Sequence, residues 1–125
     1  MIGVDIVKNS RIERAIARFG SKFLSRIYTQ RELDYCFSQK NHIPCLAARW
    51  ACKEAVLKAF YIEFGILLRF KEIEVLGNSG LPAKVIVHRR EAEEILKEYE
   101  VLVSLSHEED YSVAVALIRK IRKSD

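Results

Sequence analysis

The sequence predicts an α+β domain in which helices pack on a small, mainly antiparallel sheet. Three features predict it. Apolar residues recur at helical spacing through the first half of the chain, they alternate from about Phe70 onward, and Gly, Pro and acidic turn residues punctuate that second half. At 125 residues the chain has the size of a single domain, so one domain spanning 1–125 is expected, and no linker, internal repeat or low-complexity tract divides it.

The elements follow in order. Residues 1–7, MIGVDIV, form a short strand with Ile2, Val4 and Ile6 on one face and Gly3, Asp5 and Val7 on the other. Ser10 and Glu13 make a capping box opening a helix, with Ile12, Ala15, Ile16, Phe19 and Phe23 along one side and Gly20 as a point of bending. A second capping box, Thr29 with Glu32, starts a helix over about 29–39, which the NHIP stretch around Pro44 ends. The third helix runs from about Cys45 to Phe64. Beyond it, KEIEVLGNSGLPAKVIVH predicts two strands around a Gly and Pro turn, and RREAEEILKEY an exposed helix. VLVSLSH and YSVAVALI form a closing hairpin across E-E-D, and the KIRKSD tail is expected to fray.

Half the residues are apolar and three in ten are charged, the balance of a globular protein and not of a disordered tail. No apolar run approaches the roughly 18 residues that cross a bilayer, and Met1 leads straight into IGVDIV without a basic leader, so a cytoplasmic protein with no membrane partner is expected. Three cysteines, Cys36, Cys45 and Cys52, form neither an even disulfide set nor a C-x-x-C site, and reduced thiols are expected. The formal charge of +4 permits an acidic partner without choosing one.

The chemistry concentrates in WACKEAVLK, Trp50 to Lys58. At 100° per residue, Ala48, Cys52, Ala55, Val56 and Ala59 make a strip of small residues for close packing. On the other side Arg49, Lys53, Glu54 and Lys58 are interleaved with Trp50, Leu57 and Tyr61. An i,i+4 pair between Glu54 and Lys58 is the ordinary interpretation and is worth only about 0.2–0.5 kcal/mol. The apolar setting argues for more, because a partly desolvated carboxylate costs several kcal/mol unless a cation compensates it. Lys53 has the ordinary interpretation of a helix-surface charge. Asp5 poses the same problem on the first strand, where its ordinary role is to cap the following helix and where Gly3 leaves room for something to approach closely. Two such carboxylates with Lys58 nearby suit a hard cation such as Mg²⁺, held by few protein oxygens and by substrate phosphates, as in phosphoryl-transfer chemistry.

These residues resemble a known family. The I-G-x-D start, the W-x-x-K-E-A-x-x-K-A-F run of Trp50 to Phe60 and the S-x-S-H of Ser104 to His107 are similar to the phosphopantetheinyl transferases, specifically the small holo-[acyl-carrier-protein] synthases. F-K-E-I-E-V (Phe70 to Val75), the G-x-P of Gly80 and Pro82 and T-x-x-E-L-D (Thr29 to Asp34) extend the match in order over essentially the whole chain. The resemblance implies transfer of the 4′-phosphopantetheine arm of coenzyme A to a serine of apo-acyl carrier protein in fatty acid biosynthesis, releasing adenosine 3′,5′-bisphosphate. It implies Mg²⁺ on Asp5 and Glu54, Lys58 on a coenzyme A phosphate, and Ser106, His107 and Gly65 at the nucleotide. A homotrimer with active sites between subunits is implied as well. Arg11, followed by Arg14, falls where the family grips the acidic carrier, on a stripe with Arg18 and Lys22. One departure stands out: Tyr61, Ile62 and Glu63 replace the family's Gly-Thr-Gly, of which only Gly65 keeps a glycine, and bulkier residues there extend the helix. A proton acceptor for the serine, a carboxylate or a metal-bound water, is not legible.

Two other classes compete. A nucleic-acid-binding module could use the basic stripe, but it leaves Asp5 and Glu54 unexplained and has no aromatic platform. A metal-dependent nuclease could use Asp5, Glu54 and a lysine, but such sites carry their carboxylate and lysine on adjacent strands, whereas here they lie on a helix.

Overall fold

The computed structural model describes residues 1–77 and 82–122. One helix organises it: α4 (His42–Phe64), 23 residues or about 35 Å long, lies across a three-stranded antiparallel sheet. The sheet order is β1-β5-β4, with β1 Ile2–Lys8, β4 Tyr99–His107 and β5 Tyr111–Lys120. The hairpin of β4 and β5 and the pairing of β1 on β5 put Gly3 opposite Ala116, Asp5 opposite Ala114 and Val7 opposite Ser112. Alternation sends these residues to the α4 side, and the partners Ala114, Ala116 and Ser112 are buried there.

Small residues set the depth of that packing. Ala48, Cys52, Ala55 and Ala59 are buried on α4, as the spacing predicts. The room that Gly3 leaves is filled by the helix backbone itself: a Cβ on Gly3 would stand 2.2 Å from the Ala55 carbonyl oxygen.

Four shorter helices and a second ribbon surround this core. The first predicted helix is two: α1 (Asn9–Phe19) and α2 (Ser21–Ile27) meet at Gly20, whose φ of 55° is a left-handed conformation that glycine adopts without strain. The Ser10–Glu13 capping box does not form, since α1 starts two residues earlier, at Asn9 with Lys8 as N-cap, and has no side-chain cap. Asn9 is buried instead, its amide donating to the Glu108 and Glu109 carbonyls and its oxygen accepting from the Ser112 hydroxyl. The Thr29–Glu32 box does form and opens α3 (Gln30–Phe37). Pro44 does not end an element but sits in the first turn of α4, where a missing N–H costs nothing. A 3₁₀ turn (Phe70–Glu72) leads into the antiparallel ribbon of β2 (Ile73–Leu76) and β3 (Lys84–Val87). The predicted helix over 89–99 shrinks to the single turn α5 (Ala92–Ile95). The expected turn at Gly80 and the end of the KIRKSD tail lie outside the described residues.

Two sequence-based expectations about charge and sulfur are overturned. Lys53 is not a surface charge: it is fully buried, its ammonium 2.7 Å from the Glu32 carboxylate and donating to the Phe70 carbonyl at 3.0 Å and to that of Ile73. Burial lowers its pKa from the ordinary lysine value, and Glu32 opposes that shift. Glu32 also accepts from the Val75 N–H, so one carboxylate ties α3, α4 and β2 together. Of the three cysteines, Cys36 and Cys45 form a disulfide, because the turn between α3 and α4 brings their Cα atoms to 5.4 Å. Cys52 remains a free buried thiol, its pKa pushed up to about 12 by burial.

Candidate active site

The structure joins Asp5 to Lys58 across 53 residues of sequence. The Lys58 ammonium donates to Asp5 Oδ1 at 3.0 Å, on an Asp5 side chain only 13% exposed. This replaces both ordinary interpretations, since Asp5 does not cap α1 and Lys58 does not pair with Glu54 one turn before it. The hydrogen bond to Asp5 raises the pKa of Lys58, and the charge of Glu54 adds to that, so the half-exposed ammonium stays charged at neutral pH. The second oxygen of Asp5, Oδ2, is buried without a hydrogen-bond partner. Glu54 forms no hydrogen bond or ion pair of its own among the described residues.

An orphaned, buried carboxylate oxygen on Asp5, with uncommitted Glu54 acting on the same Lys58 ammonium, is a poor arrangement for stability and a fitting one for a cation. No group of three His, Cys, Asp or Glu side chains converges among the described residues. Asp5 and Glu54 offer two carboxylates, a set that would suit a hard cation such as Mg²⁺, which keeps several waters and takes further oxygens from substrate phosphates.

A second feature lies elsewhere on the chain. A cleft of about 760 Å³ opens between the α3–α4 turn, the first turns of α4 and the end of β4, with Lys40, Arg49 and His107 among its lining. Arg49 forms its base. It is buried, its Nη2 donates to the Gly77 carbonyl at 3.3 Å, its Nη1 to Cys45 Sγ at 3.2 Å, and its guanidinium lies 4.7 Å over the Tyr35 ring. The remaining donor, Nε, is buried with no partner. Burial lowers the pKa of Arg49, opposed mainly by Glu32, and an arginine so held remains a cation. Lys40 and the unsatisfied donor of Arg49 can meet an anion from the helix side, while Glu108 and Glu109 line the opposite rim beside His107. Sequence reasoning missed Arg49; its signal was an arginine flanked by Ala48 and set one turn before Lys53 on a helix stripe otherwise destined for the core.

The other predicted residues disperse. His107 ends β4 and reaches the cleft, but strand alternation turns Ser106 to the opposite face of the sheet, where it is exposed. Gly65, with φ 71°, is the left-handed C-cap of α4 and lines no part of the cleft. Tyr61, Ile62 and Glu63 lie in the last turn of α4, and Tyr61 and Ile62 are exposed. On α1, Arg11, Arg14 and Arg18 with Phe19 border a shallow groove, whereas Lys22 falls on α2 beyond the break at Gly20. Arg11 lies 5.2 Å over the Trp50 ring, which also stacks on Phe70 at 5.8 Å between ring centroids.

No helix of the described residues is long and apolar enough to cross a membrane. Comparison with known proteins places this geometry in context. Residues 1–116 match the family model of the 4′-phosphopantetheinyl transferase superfamily. The chain is 70% identical to a holo-[acyl-carrier-protein] synthase of Aquifex aeolicus over 120 residues, covering 96% of this chain and 98% of that protein. It is 38% identical to the holo-[acyl-carrier-protein] synthase of Leptospira biflexa over 122 residues, 95% of each. Among solved structures, the Helicobacter pylori holo-[acyl-carrier-protein] synthase in complex with coenzyme A superposes with a TM-score of 0.80 at 28% identity, over 95% of this chain and all of that one.

Proposed function

We propose a reaction for the chain from the family to which it belongs, the 4′-phosphopantetheinyl transferase superfamily and, within it, the holo-[acyl-carrier-protein] synthases: transfer of 4′-phosphopantetheine from coenzyme A to a serine of apo-acyl carrier protein, releasing adenosine 3′,5′-bisphosphate. The observation that carries it is the buried, unpartnered Oδ2 of Asp5 beside Lys58. Asp5 and Glu54 would hold Mg²⁺, which when bound neutralises charge on the phosphoanhydride being broken. Lys58, kept protonated by Asp5, offers its ammonium to the same phosphates. Arg49, Lys40 and His107 give the anionic nucleotide a cleft with an unsatisfied donor at its base. Arg11 and Arg14 present an exposed cationic face suited to an acidic carrier, whereas Ser106 and Gly65, which lie outside that cleft, are assigned to the nucleotide by the family resemblance alone.

The Asp5–Lys58 pair and the Arg49 cleft are separate surfaces of one chain, and a second copy would bring them together. The sheet face turned away from α4 supports assembly: Ile2, Val4 and Ile6 are 64%, 57% and 63% exposed, with Leu102 and Val115 beside them. A homotrimer with active sites between subunits covers that face. Service to fatty acid biosynthesis, in the cytoplasm, completes the proposal.

Incubation with coenzyme A, Mg²⁺ and apo-acyl carrier protein should add the mass of phosphopantetheine to the carrier, and the gain should vanish without Mg²⁺. The Glu54→Gln variant should fold, by circular dichroism, and transfer poorly. Absence of a mass gain with several carrier types overturns the proposal.

A further inference from the structure

The Cys36–Cys45 disulfide closes the segment that forms one wall of the Arg49 cleft. Gln39, Lys40, Asn41 and Pro44 lie inside the closed loop and line the cleft, as does Cys45 itself. The bond also brackets the cleft's base. Tyr35 precedes Cys36 on α3, Arg49 stands one turn after Cys45 on α4, and their stack at 4.7 Å spans the two helices. Arg49 Nη1 donates directly to the bonded sulfur of Cys45 at 3.2 Å. The two residues differ in exposure: Cys36 is fully buried, whereas Cys45 is 9% exposed and lines the cleft.

We propose that this disulfide is a positioning device for nucleotide binding: oxidised, it holds Lys40 and Arg49 in place for the phosphates of coenzyme A, and reduced, it lets that wall loosen. The inference rests on the transferase reading for the identity of the ligand. Reaction of the thiol pair with a low-molecular-weight disulfide RSSR balances as two exchanges. One cysteine thiolate attacks RSSR and releases RS⁻, and the second attacks the resulting mixed disulfide, releasing another RS⁻ and closing Cys36–Cys45. Reduction by a dithiol runs the reverse, with attack on the sulfur of cleft-lining Cys45. A nucleotide in the cleft covers that sulfur. That cover slows reduction, and the higher affinity of the oxidised form couples the two equilibria, so that by linkage binding and oxidation each favour the other.

The test compares coenzyme A binding by calorimetry for the full-length protein, oxidised and dithiol-reduced, with thiol content followed by intact mass. Ordering one or two long side chains and their loop on binding corresponds to roughly a five- to tenfold weaker dissociation constant for the reduced form. In transfer assays the KM for coenzyme A should rise by a similar factor, while kcat and the KM for the carrier stay put. Saturating coenzyme A should slow reduction of the bond, which a disulfide that merely braced the fold away from the ligand would not show. The Cys36→Ser variant, which keeps the Cys45 sulfur beside Arg49, should bind like the reduced protein and ignore reductant. Should that variant misfold, the wild-type pair of states still decides. Equal affinity in both states, or failure of Cys36 and Cys45 to oxidise with glutathione disulfide, overturns the inference while leaving the transferase intact. Binding of coenzyme A in neither state overturns the transferase reading and this inference with it.

Discussion

Replacing Gly3 by alanine perturbs the fold and the site together. The new Cβ would sit 2.2 Å from the Ala55 carbonyl oxygen and 3.1 Å from Ala59 Cβ, about 1.2 Å short of ordinary contact at 3.4 Å with the oxygen. That oxygen belongs to a helix backbone and cannot swing aside, so α4 must lift from β1. Overpacking of this kind costs about 1–3 kcal/mol, and a clash against backbone belongs at the upper end. With an unfolding entropy of about 0.26 kcal/mol/K for 125 residues, 3 kcal/mol corresponds to a melting point lower by about 11 °C. The lift also separates Lys58 on α4 from Asp5 on β1, whose 3.0 Å hydrogen bond has little slack. Transfer should accordingly fall at least tenfold at a temperature where the variant remains folded. Thermal denaturation at matched protein concentration, with single-turnover transfer alongside, measures both. A melting point within about 2 °C of the parent and unchanged transfer would refute the close approach of β1 to α4.

Three further outcomes are expected. Burial raises the pKa of Glu74, but hydrogen bonds from Arg31, Thr29 and His88 outweigh it and bring the carboxyl down to about 2. A depressed folded-state pKa means that stability present above about pH 4.5 is lost as pH falls towards 2. Allowing for half-exposed Arg31 and His88, the loss is of order 2 kcal/mol, and acid titration of Glu74→Gln should lack that component. Lys53→Met strands a buried Glu32 and should cost about 3–5 kcal/mol in denaturant unfolding, with Glu32→Gln added to it recovering part of the loss in a double-mutant cycle. Arg11→Ala should raise the KM for the carrier several-fold and flatten its salt dependence while leaving the KM for coenzyme A unchanged, and Trp50→Leu, by removing the ring under Arg11, should do the same more weakly.

The readable parts of this molecule are those fixed by local chemistry. The Thr29 capping box, the small strip of α4 and the alternation of β1 depend on residues within a turn or two of one another, and each forms as its spacing predicts. The Ser10 box has the same local pattern and fails, because Asn9 is drawn into bonds with 108, 109 and 112 at the far end of the chain. Long-range pairing decides the other surprises too. Lys58 has Glu54 one turn away and reaches instead for Asp5, and Cys36 meets Cys45 only because the α3–α4 turn folds them together. Arg49 becomes the base of a cleft whose other walls come from β4 and from the strand ribbon.

Adjacent Lys53 and Glu54 show how one motif serves two ends. About 100° separates neighbours on a helix, enough to send Lys53 inward and leave Glu54 at the half-buried boundary. Lys53 meets a carboxylate and two carbonyls, so its burial is compensated and fixes the rotation of α4 about its axis. That rotation in turn decides where Glu54 and Lys58 stand relative to β1. Among the described residues Asp5 receives only one compensating partner, Lys58, and keeps an orphaned oxygen. A fold selected for stability alone would satisfy or remove that oxygen; leaving it unmet, next to a carboxylate that the protein also leaves free, is intelligible when a cation and a phosphate-bearing substrate complete the shell.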